Sequence, residues 1–291
     1  MVSDGMLTAL TEFILTVTPV NDTPVISKIY DHTIDEGTST NPIPFTIFDV
    51  DSIQYTVSAS SSNQNLITDE NITITGNGNN YSIIINPETY QTGYSTISLT
   101  ASDGIDHTST NFTITVDEVY YTISGHISYY TGVGNTSVSN VLLSLTGTYS
   151  YSTVTDLNGD YAINIRPGNY TLTPSKHEDG SIGLNDALSI LKAVAKLINL
   201  DCYSQIAADV NMNKRLTSLD ASKLAIKASN MIPCMNQNCT KWKFLKSSIS
   251  DCQNWPPIKF QTNREYQNLN SDMDEQNFIG IMLGNVRTDK N

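Results

Sequence analysis

The chain has 291 residues, enough for two or three domains, and a formal net charge of −13. Only 15% of its residues are charged, while Thr, Ser, Asn and Tyr abound. That composition suits β-sandwiches on an outer surface rather than a cytosolic enzyme. The charge is uneven: residues 1–120 hold 15 carboxylates against a single base, Lys28, and the remainder holds 14 against 15 bases. Such an acidic half repels nucleic acid and anionic membrane surfaces. No run of 18 apolar residues is present, so no membrane-inserting segment is expected. The unpaired carboxylates point to an outside cation that offsets them; a merely soluble acidic surface is the plainer alternative.

Taken in order, the chain opens on a repeat. Val2-Ser-Asp-Gly5 and Thr11-Glu-Phe-Ile-Leu-Thr-Val17 return 99 residues later as Ala101-Ser-Asp-Gly104 and Thr110-Asn-Phe-Thr-Ile-Thr-Val116. A period of that length is one β-sandwich. Residues 1–20 therefore read as the last strands of a preceding repeat, and residues 21–119 as a complete one. The expectation is a piece of a longer exported array, since the first residues have neither the charged nor the apolar region of a signal peptide. Alternating runs such as Ile72–Thr75, Tyr81–Ile85 and Ser95–Thr100 read as strands, with turns such as 76–80 between them.

The acidic motifs of this repeat are Val20-Asn-Asp-Thr-Pro24, Asp35-Glu36-Gly37, Asp49-Val-Asp51 and Ala101-Ser-Asp103-Gly104. On these it resembles the cadherin family, in which such carboxylates hold calcium between repeats. The resemblance implies Asn21, Asp22, Glu36, Asp49, Asp51 and Asp103 as calcium ligands. One acidic motif of that family is missing, with Tyr90–Tyr94 in its place, which implies fewer or weaker ions. Each motif taken singly is also ordinary turn chemistry.

Residues 120–174 change texture. Strand-like runs flank Asn158-Gly159, a strong hairpin signal. The stretch resembles the small prealbumin-like sandwich of carboxypeptidase regulatory and Cna-B domains, which implies a spacer or stalk.

The next stretch, 175–235, carries the most specific motif. In Asp209-Val-Asn-Met-Asn-Lys-Arg-Leu-Thr-Ser-Leu-Asp220, oxygen-bearing side chains fall at loop positions 1, 3, 5, 9 and 12: Asp209, Asn211, Asn213, Thr217 and Asp220. Arg215 at position 7 offers its backbone carbonyl. A calcium loop supplies oxygens from these positions. Position 6 is Lys214 where Gly is usual, and position 12 is Asp rather than Glu. A helix follows, with Leu224, Ala228 and Met231 on one face. Upstream, Asp179-Gly-Ser-Ile-Gly-Leu-Asn-Asp186 reads as a weaker first loop, with Asp179 and Asp186 as candidate ligands and poor donors before them. It opens a helix over 186–200 whose apolar face is Leu188, Leu191, Val194, Ala195 and Ile198.

Two loop–helix units closed by Asp resemble the type I dockerin, a small α-helical pair of F-hand loops. That family docks into a cohesin domain. The resemblance implies Ca2+ as cofactor and a protein partner, either a cohesin-like receptor or a neighbouring surface protein. It implies partner contacts at Leu184, Asn185, Ser218 and Leu219.

Residues 236–291 read as a small disulfide-tied C-terminal region with strands near 242 and 278–284. All four cysteines, Cys202, Cys234, Cys239 and Cys252, lie late in the chain. In an exported protein they form two disulfides out of three possible pairings, Cys202–Cys234 with Cys239–Cys252 being the favoured set. Histidines 32, 107, 126 and 177 are scattered, and no metalloprotease, nucleophile-elbow or phosphate-loop motif occurs. No catalytic residues are expected.

The fold expected is mainly β and multidomain: an Ig/cadherin-like β-sandwich, a small prealbumin-like β-sandwich, then a dockerin-like calcium module. The function expected is a non-catalytic, extracellular or cell-surface calcium-binding adhesion and docking segment. The alternative is the accessory and docking region of a secreted polysaccharide-degrading enzyme, with carbohydrate as a further partner.

Overall fold

The computed structural model describes residues 2–3, 5–6, 8–9, 12–18, 20–130, 135–178, 181–246 and 261–286. They are mainly β, with three α-helices, and divide into two compact units, 1–118 and 119–291.

The first unit begins with a short hairpin of β1 (Val2–Ser3) and β2 (Thr8–Ala9), in which Val2 faces Ala9 and Ser3 faces Thr8. The same register recurs 99 residues on, where Ala101 faces Thr108 and Ser102 faces His107. The repeat is thus present in strand pairing as well as in sequence.

Eight further strands follow: β3 (Val25–Ile26), β4 (His32–Asp35), β5 (Ile43–Phe48), β6 (Thr56–Ser61), β7 (Ile72–Asn77), β8 (Asn80–Ile85), β9 (Gly93–Ser102) and β10 (His107–Asp117). They make two four-stranded sheets, ordered β4-β10-β9-β6 and β3-β5-β8-β7. β4 runs parallel to β10, and the other pairs are antiparallel. Alternation does the sorting. In β5, Ile43, Phe45 and Ile47 point inward while Pro44, Thr46 and Phe48 are exposed. Ile83, Ile85, Ile97, Leu99, Phe112 and Ile114 complete the core.

The second unit contains β11 (Tyr121–Tyr130), β12 (Asn135–Ser137), β13 (Leu142–Gly147), β14 (Tyr151–Val154), β15 (Asp160–Ile165) and β16 (Gly168–Ser175). Next come α1 (Leu184–Val194), α2 (Cys202–Ala208) and α3 (Ser218–Ala228), then β17 (Trp242–Lys246), β18 (Arg264–Leu269) and β19 (Phe278–Met282). One sheet is ordered β12-β11-β19-β17, with β15 also on β11; the other is β14-β13-β16-β18.

This arrangement corrects the expected boundaries. The 236–291 stretch is not a subdomain of its own: its strands pair into both sheets of the 120–174 sandwich, β19 lying parallel to β11 with Ile127 opposite Phe278. The reason is burial on two faces. All five residues of β19 are buried. Phe278 faces the sandwich core with Ile123, Leu143 and Leu172, whereas Ile279 and Ile281 face the helices. A strand covered on both sides reads as an unbroken apolar run. The helical stretch is therefore an insertion between β16 and β17, packed on the outer face of the sheet that holds β19.

Two more expectations change. Cys234 bonds Cys239, with Cα atoms 4.8 Å apart, so neither Cys202–Cys234 nor Cys239–Cys252 forms. The short loop between the paired cysteines is drawn tight by Asn236, whose amide donates to the carbonyls of Val210 and Thr240. None of the described cysteines is free, and Cys252 lies outside the described residues. In α1 the inward face is Ala187 and Ile190, with Ala193 and Ile198 alongside, rather than the Leu188 face. Both faces of this helix are apolar, so periodicity alone does not choose between them. Leu224 of α3 is buried as expected, but α3 ends at Ala228 and Met231 is exposed.

Candidate metal sites and docking face

The loop from Asp209 to Asp220 closes on itself through side-chain oxygens. Asp209 caps α2 at its C-terminus, and its two oxygens accept the backbone N–H groups of Asn213 (3.0 Å) and Lys214 (2.8 Å). Asn211 Oδ1 accepts from Asn213 N–H, and Asn213 Oδ1 from Arg215 N–H. At the far end, Asp220 Oδ2 accepts both the N–H and the hydroxyl of Thr217, the residue before α3. Its Oδ1 reaches back to Asn211 N–H at 3.3 Å. Lys214 stands in the left-handed region at φ 63°, the conformation for which Gly is usual at that position.

Asp209 is 2% exposed and Asp220 fully buried. Burial pushes the Asp209 carboxyl above its ordinary range; the two backbone donors and Lys243 pull it back, and Asp220 pushes it further. Buried carboxylates call for a counter-charge. A carboxylate offers about four lone-pair sites, so both acids keep acceptor capacity beyond these bonds. The donors are all hard oxygens, the kind a calcium ion takes. Leu216 packs into the helical core, as position 8 should, and Arg215 is exposed on the outer turn. Among the described residues, no group of three or more His, Cys, Asp or Glu is placed to hold a metal. The loop brings only two carboxylates and relies on amide and hydroxyl oxygens for the rest.

The first loop is different. Asp186 accepts Gly183 N–H on one oxygen and Val286 N–H on the other, both at 2.8 Å. It is a structural clasp between α1 and the segment that follows β19. Asp179 lies outside the described residues.

The four expected partner residues open the two helices: Leu184 and Asn185 start α1, Ser218 and Leu219 start α3, and all are exposed. They continue into a feature that sequence reasoning assigned to the core. Leu184, Leu188, Leu191 and Val194 are 63%, 48%, 45% and 39% exposed, an apolar stripe along α1.

In the first unit, five of the six expected ligands gather at one end of the sandwich. Asn21 donates to Asp103 at 2.9 Å and to Asp106 at 3.0 Å. Asp22 N–H donates to Asp51 at 2.9 Å, and Asp51 N–H to Asp49 Oδ1 at 2.7 Å. Asp106 joins the cluster although sequence reasoning missed it; its place in the turn after Asp103 is the signal. Asp49 is 7% exposed, and its Oδ2 is buried with no hydrogen-bond partner. The N–H of Ile105, the Asn21 amide and the N–H of Asp106 hold the Asp103 carboxyl below its usual range.

Glu36 does not belong to this cluster. Its N–H bonds to the carbonyl of Asp117, at the finish of β10, whereas Asp103 and Asp106 precede the start of that strand. Eleven residues of strand separate the two ends by roughly 35 Å. The parallel pairing of β4 with β10 puts Glu36 there.

No protein-family model matches the chain, and no curated protein matches it. Among solved structures, it is similar over 53% of its length to 34% of the Bacillus anthracis TIE protein, at 7% identity and a TM-score of 0.34. It matches 99% of titin domain M7 with 34% of its own length, at 12% identity and a TM-score of 0.26. An endo-fucoidan hydrolase of glycoside hydrolase family 107 matches over 55% of this chain and 27% of its own, at 13% identity and a TM-score of 0.27. The chain thus spans about a third of the TIE protein and about a quarter of the hydrolase. At these scores the matches say nothing about function.

Proposed function

We propose that this chain is a non-catalytic, calcium-binding docking and adhesion segment of an extracellular or cell-surface protein. Its helical insertion is a dockerin-like module that engages a protein receptor. The observation that carries the reading is the closed loop, with Asp209 and Asp220 buried at its two ends and Asn211 and Asn213 turned into it. The orphaned oxygen of Asp49 supports a second cation site at the acidic end of the first unit. In the reading, Asp209, Asn211, Asn213, Thr217 and Asp220 hold one ion. Among the described residues no three carboxylates converge at the acidic end of the first unit, and Asp49 is the central ligand of the other ion, with Asn21, Asp22, Asp51, Asp103 and Asp106 around it.

Docking is supported by the apolar stripe of α1 and by the charge of the insertion. Between residues 181 and 240, the four acids Asp186, Asp201, Asp209 and Asp220 all accept backbone N–H bonds. Six bases, Lys192, Lys196, Lys214, Arg215, Lys223 and Lys227, stand against them. The disulfide agrees with an exported chain. Among the described residues no helix is long and apolar enough to cross a membrane.

Isothermal calcium titration of the full chain tests the reading. Wild type is expected to bind at both sites, D209N/D220N to lose one binding event, and D49N/D103N the other. Heats identical in all three proteins would overturn the assignment.

A further inference from the structure

Lys243 of β17 stands directly across from Ile281 of β19 and two residues from Leu245. Leu245 and Ile281 both belong to the core under the helices, so strand alternation sends Lys243 into the same layer. The end of α2 is fixed there as well, since Gly284 N–H bonds the carbonyl of Ala207, two residues before Asp209. The electrostatics agree with this placement. Burial favours loss of the Lys243 proton, the Asp209 carboxylate holds it on, and Lys214 opposes it.

Charge decides what Lys243 does. Two buried carboxylates, Asp209 and Asp220, carry the loop's two negative charges, and its own bases, Lys214 and Arg215, are exposed to solvent. A divalent ion neutralises those charges alone, and an ammonium beside it is then one positive charge too many. Without the ion, the same ammonium is a countercharge to Asp209. We propose that Lys243 is an internal competitor of the metal: it stabilises the empty loop and weakens the loop's affinity for a divalent cation. The inference rests on reading 209–220 as a cation loop. Sequence reasoning does not single out Lys243, because the strand that carries it meets the loop only through the fold.

The two halves of the proposal have opposite signs, which makes them testable together. The background is full-length D49N/D103N, in which only the loop reports. In it, K243M keeps the side-chain length and removes the charge, K243Q is a polar second variant, and K243R keeps the charge. Calorimetric calcium titration is expected to show Kd falling roughly tenfold in K243M and K243Q, as removal of one like charge at a partly screened site implies. It should stay near the parent value in K243R. In chelator, K243M and K243Q are expected to melt below the parent. A folded K243M or K243Q that binds calcium no more tightly than its parent overturns the inference and leaves the loop reading intact. A parent whose calcium heat is absent, or survives D209N/D220N, overturns both.

Discussion

Val286 donates its backbone N–H to Asp186 at 2.8 Å, across 100 residues of chain. The other oxygen of the same carboxylate takes Gly183 N–H, so one side chain ties the start of α1 to the segment that follows β19. Removing it leaves two donors without their charged acceptor. Asp186→Ala is expected to destabilise the second unit by roughly 2 to 3 kcal/mol, the scale of charge-assisted bonds. Urea unfolding checks this. The calcium response of the 209–220 loop should persist in the same variant.

The Cys234–Cys239 bond closes a loop of six residues that also carries the Asn236 contacts to Val210 and Thr240. Constraining the unfolded chain over so short a loop contributes about 2 kcal/mol. The double variant C234S/C239S is expected to melt several degrees lower by calorimetry, with the first unit unaffected.

Asp49 carries a buried oxygen with no partner. An unpaired buried charge costs stability unless a cation meets it. Asp49→Asn keeps an oxygen for the N–H groups of Asp51 and Ser52, which Oδ1 now accepts. In chelator the variant is expected to melt at or above wild type, and in calcium below it. Thermal melts under the two conditions test the crossover.

Alkaline pH should strip the second unit of stability. Tyr161 and Tyr266 both reach Gln276, donating to its carbonyl (2.6 Å) and its side-chain oxygen (3.1 Å). Burial is the main cause that raises both hydroxyls, Tyr266 to about 12 and Tyr161 beyond it, with Arg264 pulling the other way. An unfolded tyrosine loses its proton near pH 10. The folded state thus retains protons that the unfolded state sheds. Stability is full below about pH 10 and declines as pH rises toward about 12. Tyrosinate absorbance followed during a pH titration should show these two ionising together with unfolding.

What the sequence discloses is local. The oxygens at positions 1, 3, 5, 9 and 12 and the acid at the start of α3 lie within twelve residues, and their hydrogen bonds follow that spacing. The 99-residue repeat predicts a hairpin register that β1 and β2 reproduce. Long-range choices stay hidden. Ile127 and Phe278 pair across 151 residues of chain, so the C-terminal strands read as a separate piece. Leu188 and Ile190 are equally apolar, and only packing into the core between the helices and the sheet turns Ile190 inward. Glu36 sits in a recognisable motif, yet which end of the sandwich it occupies depends on β4 joining β10. Four cysteines admit three pairings, and the observed bond joins nearest neighbours.

A melt of the full chain in calcium and in chelator, repeated with D209N/D220N, probes the cation-gripping role of the loop most directly. The second unit is expected to unfold several degrees higher in calcium, and the double variant to lose that gain while keeping its β signal in circular dichroism. Superimposable wild-type curves in calcium and chelator would contradict the account.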